Sequence, residues 1–304
     1  MSNMHRIKSI SDYHRLAGLP KPEHPLVSLV DYSQVNYQTE NDEISMVSPY
    51  YSIAMKHGVQ GKMKYGHQPY DFDEGLMSFV SPGQVISVKA NYENGSKPSG
   101  WLLFIHPDFL WNTALAKKIK QYEFFGYKVN EALFLSNKEE QSMIGILKSI
   151  EEEYHSNIDR FSQNIIISHI EVLLNYADRF YQRQFITRQI SNHAVLTKVE
   201  DWLNDYFQQK NIQNEGLPSV HQLAEAINMS PNYLSSLLKA QTGQNTQQHI
   251  QTKLIEAAKE RLSTSQLSIS EIAYELGFEH SQSFSRFFKK KVNLSPSDFR
   301  QSFN

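Results

Sequence analysis

Between residues 26 and 105, apolar residues form short runs or alternate with polar ones, and turn residues separate the runs. Alternation over about four to eight residues is typical of a half-buried β-strand. Turn signals stand at Ser81-Pro82-Gly83 and at Asn94-Gly95-Ser96. With no crossover helix between the runs, the pattern predicts a sandwich or small barrel whose strands lie in 26–35, 43–58, 61–66, 76–80, 84–89 and 100–105.

After Pro107 the apolar spacing becomes helical. It predicts helices over 108–120, 137–157 and 161–184, and it weakens between residues 183 and 192, where we place a linker. The third helix carries an apolar stripe made of Ile166, Ile170, Leu173, Leu174, Ala177 and Phe180.

An internal repeat runs through residues 191–304, where the pattern is helical throughout. Each copy opens with a capping box, at Ser219 or Ser268, and its first helix ends before Asn228 or Gly277, residues that tolerate positive φ. The first apolar set recurs after 49 residues and the second after 50, so the second copy has one extra residue in its turn. Two short helices joined by a turn predict a helix-turn-helix in each copy. The repeated positions are Val220, Leu223, Ala224, Ile227, Leu234, Leu237 and Leu238, then Ile269, Ile272, Ala273, Leu276, Phe284, Phe287 and Phe288.

The connection between the copies, residues 246–262, is predicted to be one helix about 25 Å long at a rise of 1.5 Å per residue. A rigid connector of this kind holds the two copies at a fixed spacing.

Composition removes several classes of protein. The chain has 304 residues and no cysteine, which excludes disulfide scaffolds, thiolate zinc sites and cysteine nucleophiles. Its 30 Lys+Arg and 32 Asp+Glu residues give a net charge of −2, which decides nothing about nucleic acids because phosphate contact is local. Neither a signal peptide nor an apolar run of membrane-spanning length is visible, so we expect a cytoplasmic protein with no membrane partner.

The second helix of each copy has an outward face without Asp or Glu, while Glu225, Glu271 and Glu275 stand on the preceding helices. A helix in the major groove needs donors for base edges and cations beside phosphates. A plain helical bundle is the alternative, but its solvated faces would mix both charge signs. We predict base contacts from Asn232, Tyr233, Ser235, Ser236, Ser281, Gln282, Ser285 and Arg286, and phosphate contacts from Lys239, Lys289, Lys290 and Lys291.

Short motifs follow one another in fixed order along this region. They are Ser230-Pro231-Asn232-Tyr233-Leu234-Ser235, Lys239 with Thr242-Gly243, Ala258 with Leu262, Ile269-Ser270-Glu271-Ile272-Ala273, Gly277-Phe278, Phe284-Ser285-Arg286-Phe287-Phe288-Lys289-Lys290, and Ser295-Pro296 with Phe299-Arg300. In order and spacing, residues 219–300 resemble the tandem helix-turn-helix domain of AraC/XylS-type bacterial transcription regulators.

The sequence departs from that family pattern at three positions. Lys253 stands where the family has Arg, Leu238 replaces a core Phe, and Asn293 replaces a Gly. Lysine keeps the charge but loses bidentate geometry, and asparagine tolerates a left-handed backbone, so none of the three conflicts with the fold.

The amino-terminal strands and the helices after them resemble, more weakly, the cupin-like sensor domain and dimerisation helices of that family. Metal-dependent cupins need several histidines and a glutamate that converge, whereas His57, His67 and His106 are isolated and Glu74 lies seven residues past His67. We therefore expect no metal, no cofactor and no catalytic residue. Aromatic residues that line either a core or a ligand pocket are Tyr50, Tyr51, Tyr65, Tyr70, Phe72, Phe79, Trp101 and Phe104.

The resemblance implies an α+β multidomain regulator. Its expected domains are a cupin-like β-barrel over 1–106, a helical dimerisation segment over 107–185, a linker over 186–194 and an all-α tandem helix-turn-helix domain over 195–304. We expect it to activate transcription in response to a small-molecule effector. Its expected partners are two adjacent major-groove half-sites of double-stranded DNA, the effector, RNA polymerase and a second copy. The alternatives are a metal-dependent cupin enzyme with a helical localisation tail and an effector-independent dimeric DNA-binding protein.

Overall fold

The structure is a computed structural model of the chain. It forms two compact units, Met1–Thr187 and Arg188–Asn304. The residues that it describes are 4–37, 43–57, 64–65, 68–69, 75–89, 99–128, 131–156, 159, 161–187, 189–208 and 216–302.

The amino-terminal unit is rich in β-structure, as its alternating pattern predicts. Its strands are β1 (Met4–Arg6), β2 (Val27–Asp31), β3 (Glu43–Val47), β4 (Tyr51–His57), β5 (Lys64–Tyr65), β6 (Gln68–Pro69), β7 (Leu76–Val80), β8 (Val85–Lys89), β9 (Ser99–Ile105) and β10 (Leu133–Phe134).

The strands pair into separate sheets among the described residues. One sheet has the order β10-β7-β4-β9-β2 and is antiparallel throughout, a second has the order β1-β3-β8, and β5 pairs with β6. No strand pairing within the described ranges joins the two larger sheets into a closed barrel. The mixed α+β class is therefore confirmed, whereas the cupin-like barrel stays a prediction.

Strand β4 shows how the larger sheet is buried on both faces. Its odd-numbered residues Tyr51, Ile53 and Met55 are buried, and the Tyr51 ring lies 4.9 Å from that of Phe125 on one side of the sheet. Its even-numbered residues face the β1-β3-β8 sheet, because side chains alternate along a strand. A core of Ile44, Met46, Tyr50, Leu102 and Phe104 joins the two sheets there, with Ile10 and Tyr13.

The helices of this unit are α1 (Ile10–Leu16), α2 (Leu115–Lys118), α3 (Asn137–Tyr154) and α4 (Ser162–Thr187). The last two match the predicted helices, and the stripe of α4 that runs from Ile166 to Phe180 is buried as expected.

The predicted helix over 108–120 is wrong as one continuous element. A 3₁₀ turn covers Pro107–Leu110, and α2 starts only at Leu115. Asn112 between them has a φ of 64°, a left-handed conformation that cannot continue an α-helix.

The carboxy-terminal unit is helical. Its helices are α5 (Gln189–Gln208), α6 (Val220–Ala226), α7 (Pro231–Thr242), α8 (Thr246–Thr264), α9 (Ile269–Glu275), α10 (Ser281–Val292) and α11 (Pro296–Gln301). The division between the two units falls between residues 187 and 188, inside the stretch predicted as linker, where α4 ends at Thr187 and α5 begins at Gln189. None of the helices in the described ranges has the length and apolarity of a bilayer-spanning segment.

Candidate nucleic-acid interface

The capping residues fix where each helix-turn-helix begins. The hydroxyl of Ser219 accepts from the Gln222 backbone N–H, and the hydroxyl of Ser268 accepts from that of Glu271, with both capping boxes complete. The Ser268 backbone N–H also donates to the Glu271 carboxylate at 2.7 Å, which lowers the pKa of Glu271. Both predicted capping boxes are thus confirmed.

The turns also follow the sequence prediction. Asn228 and Gly277 have φ values of 59° and 82°, and Asn293 has 62° where it ends α10. Four residues separate α6 from α7, namely 227–230, and five separate α9 from α10, namely 276–280. The extra residue in the second turn lies where the change of offset places it.

Helix α10 presents a wide cationic surface. Phe284 and Phe288 are completely buried, and their rings lie 5.8 Å apart. The exposed residues on the face away from these rings are Gln282, Ser283, Arg286, Lys289 and Lys290, and Ser281 and Ser285 are half-buried. Lys291 is also exposed, at the carboxy-terminal end of the helix on the side of Phe284 and Phe288. Every predicted contact residue of this helix is therefore at least partly accessible. The face combines one arginine, two lysines and an amide with no carboxylate, which suits phosphates and base edges.

Helix α7 presents a narrower surface. Asn232 and Lys239 are exposed and Ser235 is half-buried. Tyr233 and Ser236 were predicted on the outward face, and that placement is wrong, because the two residues are only 2% and 6% exposed.

This difference follows from the helices that pack against α7 and α10. Helix α7 packs against α5, α6 and α8, while the main neighbours of α10 are α9 and α11. Helix α5 buries Val199, Leu203, Tyr206 and Phe207. With a third helix packed against it, α7 has a wider buried face than its leucine spacing predicts. The apolar spacing of residues 195–207 is the sequence signal that predicts α5.

The amino-terminal ends of the two helices differ as well. The Ser230 hydroxyl caps α7 by accepting from the Tyr233 backbone N–H at 3.2 Å. At the equivalent place in α10, His280 makes no side-chain cap. The Ser283 and Phe284 backbone N–H groups donate instead to the His280 backbone oxygen, at 3.0 and 3.4 Å.

The carboxy-terminal ends are held by different chemistry. The His249 ring lies 2.8 Å from the Thr242 hydroxyl, joining the end of α7 to α8, and burial lowers the pKa of His249. Fifty residues on, Phe299 takes the place of His249, and its ring packs 5.4 Å from that of Phe288. A titratable contact in the first copy is thus an aromatic contact in the second.

Of the histidines considered as metal ligands, His106 is the one whose side chain the structure describes. Within the described residues, no three His, Asp or Glu side chains are close enough together to hold a metal ion. His106 instead caps the turn at residue 107, where its Nδ1 accepts from the Asp108 backbone N–H at 3.2 Å. His67 and Glu74 lie outside the described residues, as does the side chain of His57.

The aromatic residues of the amino-terminal unit separate onto the two faces of the larger sheet. Tyr50 and Phe104 line a cavity of about 70 Å³ between the sheets. Tyr51 and Phe79 pack on the other face, against Phe125. Trp101 is half-buried, and the side chains of Tyr65, Tyr70 and Phe72 lie outside the described part of the chain.

Comparison with known proteins places the carboxy-terminal geometry in context. Residues 223–302 match the family model of a helix-turn-helix domain. The chain is 32% identical to the uncharacterized HTH-type transcriptional regulator YfiF of Bacillus subtilis (strain 168) over 143 residues, which are 47% of this chain and 42% of YfiF. It is 32% identical to the HTH-type transcriptional activator RhaS of Salmonella paratyphi B over 111 residues, 36% of this chain and 37% of RhaS.

Among solved structures, the C-terminal domain of AraT, a response regulator from Geobacillus stearothermophilus, is 28% identical. The match covers 36% of this chain and 84% of that domain, with a TM-score of 0.32. The chain spans about two fifths of the length of the two curated relatives above. The repeated caps, the two short helix pairs and the matches to the family model, YfiF and RhaS agree: residues 223–302 are a tandem helix-turn-helix domain of the AraC type.

Proposed function

We propose that this chain is a sequence-specific, DNA-binding transcription regulator that works in the cytoplasm and responds to a small molecule bound in its amino-terminal unit. The observation that carries the proposal is the exposed face of α10, where Arg286, Lys289 and Lys290 stand together without an acid. Phosphate neutralisation supplies most of the affinity of such a face, and base-edge contacts supply its specificity.

Two recognition helices favour a two-part site. In tandem readers that contact successive turns of the major groove, the contacted half-sites lie about 34 Å apart. Helix α10 offers Gln282 and Arg286, whose side chains are long enough to reach base edges, whereas the accessible base-contact candidates of α7, Asn232 and Ser235, are short. We therefore infer that the second copy provides most of the discrimination between bases.

The amino-terminal unit supports an effector and a second copy of the chain as partners. The cavity between its sheets is a candidate effector site. Helix α4 leaves Ile165, Val172 and Tyr176 between 37% and 43% exposed, on the side away from its buried stripe, and Phe161 just before the helix is 51% exposed. An apolar face of this kind suits antiparallel packing against the same helix of another chain.

Ligand binding then acts by shifting a population. A ligand changes an equilibrium only by its difference in affinity for two states, here two arrangements of paired DNA-binding domains. Linking two readers raises their joint affinity for paired sites by effective concentration. We infer activation through RNA polymerase because RhaS is named as an activator.

Selection of bound duplexes from a random library tests the proposal with the full chain at two salt concentrations. We expect enrichment of a bipartite motif whose halves are about 10 base pairs apart. Binding that is blind to sequence at both salt concentrations, with and without added extracts of small metabolites, contradicts it. Stoichiometric Fe, Mn, Ni or Zn in the purified protein favours instead the metal-dependent enzyme.

A further inference from the structure

The inter-sheet cavity has polar side chains at positions where a structural core needs apolar ones. Ser52 and Lys56 on β4 and Ser78 on β7 line it from the same face of the larger sheet. The residues between them on β4, Ile53 and Met55, are each 1% exposed on the opposite face. Turning polar groups into the space between two sheets costs free energy unless they find partners there.

One buried hydroxyl at this cavity lacks a partner. Tyr50 is 2% exposed, and its phenolic oxygen makes no hydrogen bond within the described part of the chain. By contrast, the hydroxyls of Tyr13 and Tyr37 in the same lining lie 2.9 Å apart and bond to each other. Leaving a buried hydroxyl without a hydrogen bond is unfavourable, and a ligand acceptor atom removes that cost.

The lining offers donors and positive charge. Burial raises the pKa of Tyr50, so its hydroxyl keeps its proton at neutral pH. Lys56 lines the cavity with its ammonium 4.3 Å from the centre of the Tyr32 ring. Among the described lining residues there is no Asp or Glu. The charged side chain of the described lining is therefore a cation, which favours an anionic ligand over a cationic one.

We propose that the cavity binds a small organic monocarboxylate, with its apolar part against Phe104 and Leu102 and its carboxylate accepting a hydrogen bond from Tyr50 in the field of Lys56. The inference rests on the proposed effector site and adds its ligand class. The cavity volume of about 70 Å³ limits the ligand to a compact molecule.

Ligand-observed NMR titration of the full chain tests this with butyrate and benzoate against their neutral isosteres butyramide and benzamide. We expect saturable binding of at least one acid and weaker binding of its amide. Tyr50→Phe removes only the hydroxyl and should weaken that acid about tenfold or more, because hydrogen bonds to charged groups are the stronger ones. Lys56→Gln should weaken the acid and leave the amide unchanged.

Tyr51→Phe is the matched control. Its ring lies on the opposite face of the same strand, packed against Phe125, so we expect acid binding to be unchanged. Circular dichroism of each variant checks that it is folded. Absence of saturable binding by both acids, equal binding of acid and amide, or equal loss in the Tyr50→Phe and Tyr51→Phe variants overturns the inference.

Affinity for a selected duplex, measured on the same samples, keeps this inference separate from the proposed function. Acid binding that leaves DNA affinity unchanged supports the cavity's ligand class and contradicts its role as an effector site. DNA binding without any acid binding supports the DNA-binding proposal and overturns the ligand class.

Discussion

The two helix-turn-helix copies share their caps, turns and core spacing, yet they leave very different faces to solvent. An offset of 50 residues aligns Ser236 with Arg286 and Tyr233 with Ser283. In the first copy both residues are buried, and in the second both are exposed. The same repeated backbone can therefore pack into the domain in one copy and leave its second helix open to contact DNA in the other, depending on which helices pack against that second helix.

The largest effect is expected from the core that the copies share. Phe288→Ala should lower the free energy of unfolding by about 3–5 kcal/mol, and Leu238→Ala at the equivalent position by about 2–5 kcal/mol. Both side chains are fully buried, so each truncation leaves a cavity. Hydrogen exchange of the α7 and α10 amides measures both. A decrease in unfolding free energy of less than about 1 kcal/mol in either variant contradicts the packing described above.

The cationic faces predict unequal salt dependence. Replacing Lys289, Lys290 and Lys291 with Gln should reduce the slope of log affinity against log salt by about 2.7, since each phosphate contact contributes about 0.9. Lys239→Gln in the first copy should reduce it by about 0.9. Fluorescence anisotropy with a labelled duplex measures the slopes. If the triple-lysine variant and Lys239→Gln have equal salt slopes, the proposed difference between the α10 and α7 surfaces is wrong.

A smaller effect is expected from a single base contact. Arg286→Ala should cost about 1–3 kcal/mol of binding free energy on a selected site and much less on unrelated DNA. Ser236→Ala, at the equivalent but buried position, is the control and should leave both affinities unchanged. A loss that is the same on both DNAs shows that Arg286 contacts phosphate only.

The smallest effect concerns pH and belongs to the first copy. Because the folded pKa of His249 is lowered, the unfolded chain binds the extra proton, so this group's contribution to stability falls as pH drops through the ordinary histidine pKa near 6.5. His249→Gln should reduce the pH dependence of hydrogen-exchange protection in α7 between about pH 7.5 and 5.5. An unchanged dependence contradicts this role. Exchange in α10, which ends beside Phe299, is the internal reference.

The sequence was sufficient wherever a short-range signal decides the structure. The capping boxes at Ser219 and Ser268 and the left-handed residues at 228, 277 and 293 involve contacts within a few residues, so their pattern is visible in the chain itself. Helix α1 carried the same kind of signal, Ser9 accepting from the Asp12 backbone N–H, although the strand pattern alone did not predict it.

What the sequence could not supply were contacts between distant segments. Tyr233 and Ser236 are buried in α7, against which α5 packs. The leucine spacing within α7 does not predict this third neighbouring helix. Likewise, the pairing that brings Ser78 to the same cavity as Ser52 and Lys56 follows from the register of β4 with β7. The alternation of β4 predicts two faces but does not say which one meets the second sheet.

The most direct test of the account is a duplex selection resolved by half-site. It compares the parent chain with a Gln282→Ala/Arg286→Ala variant of α10 and with a matched Asn232→Ala/Ser235→Ala variant of α7. The account predicts that the α10 variant loses base preference in one half-site and keeps it in the other, while the α7 variant changes little. Equal loss in the two variants, or unchanged preference in the α10 variant, contradicts the claim that the second copy reads the DNA sequence.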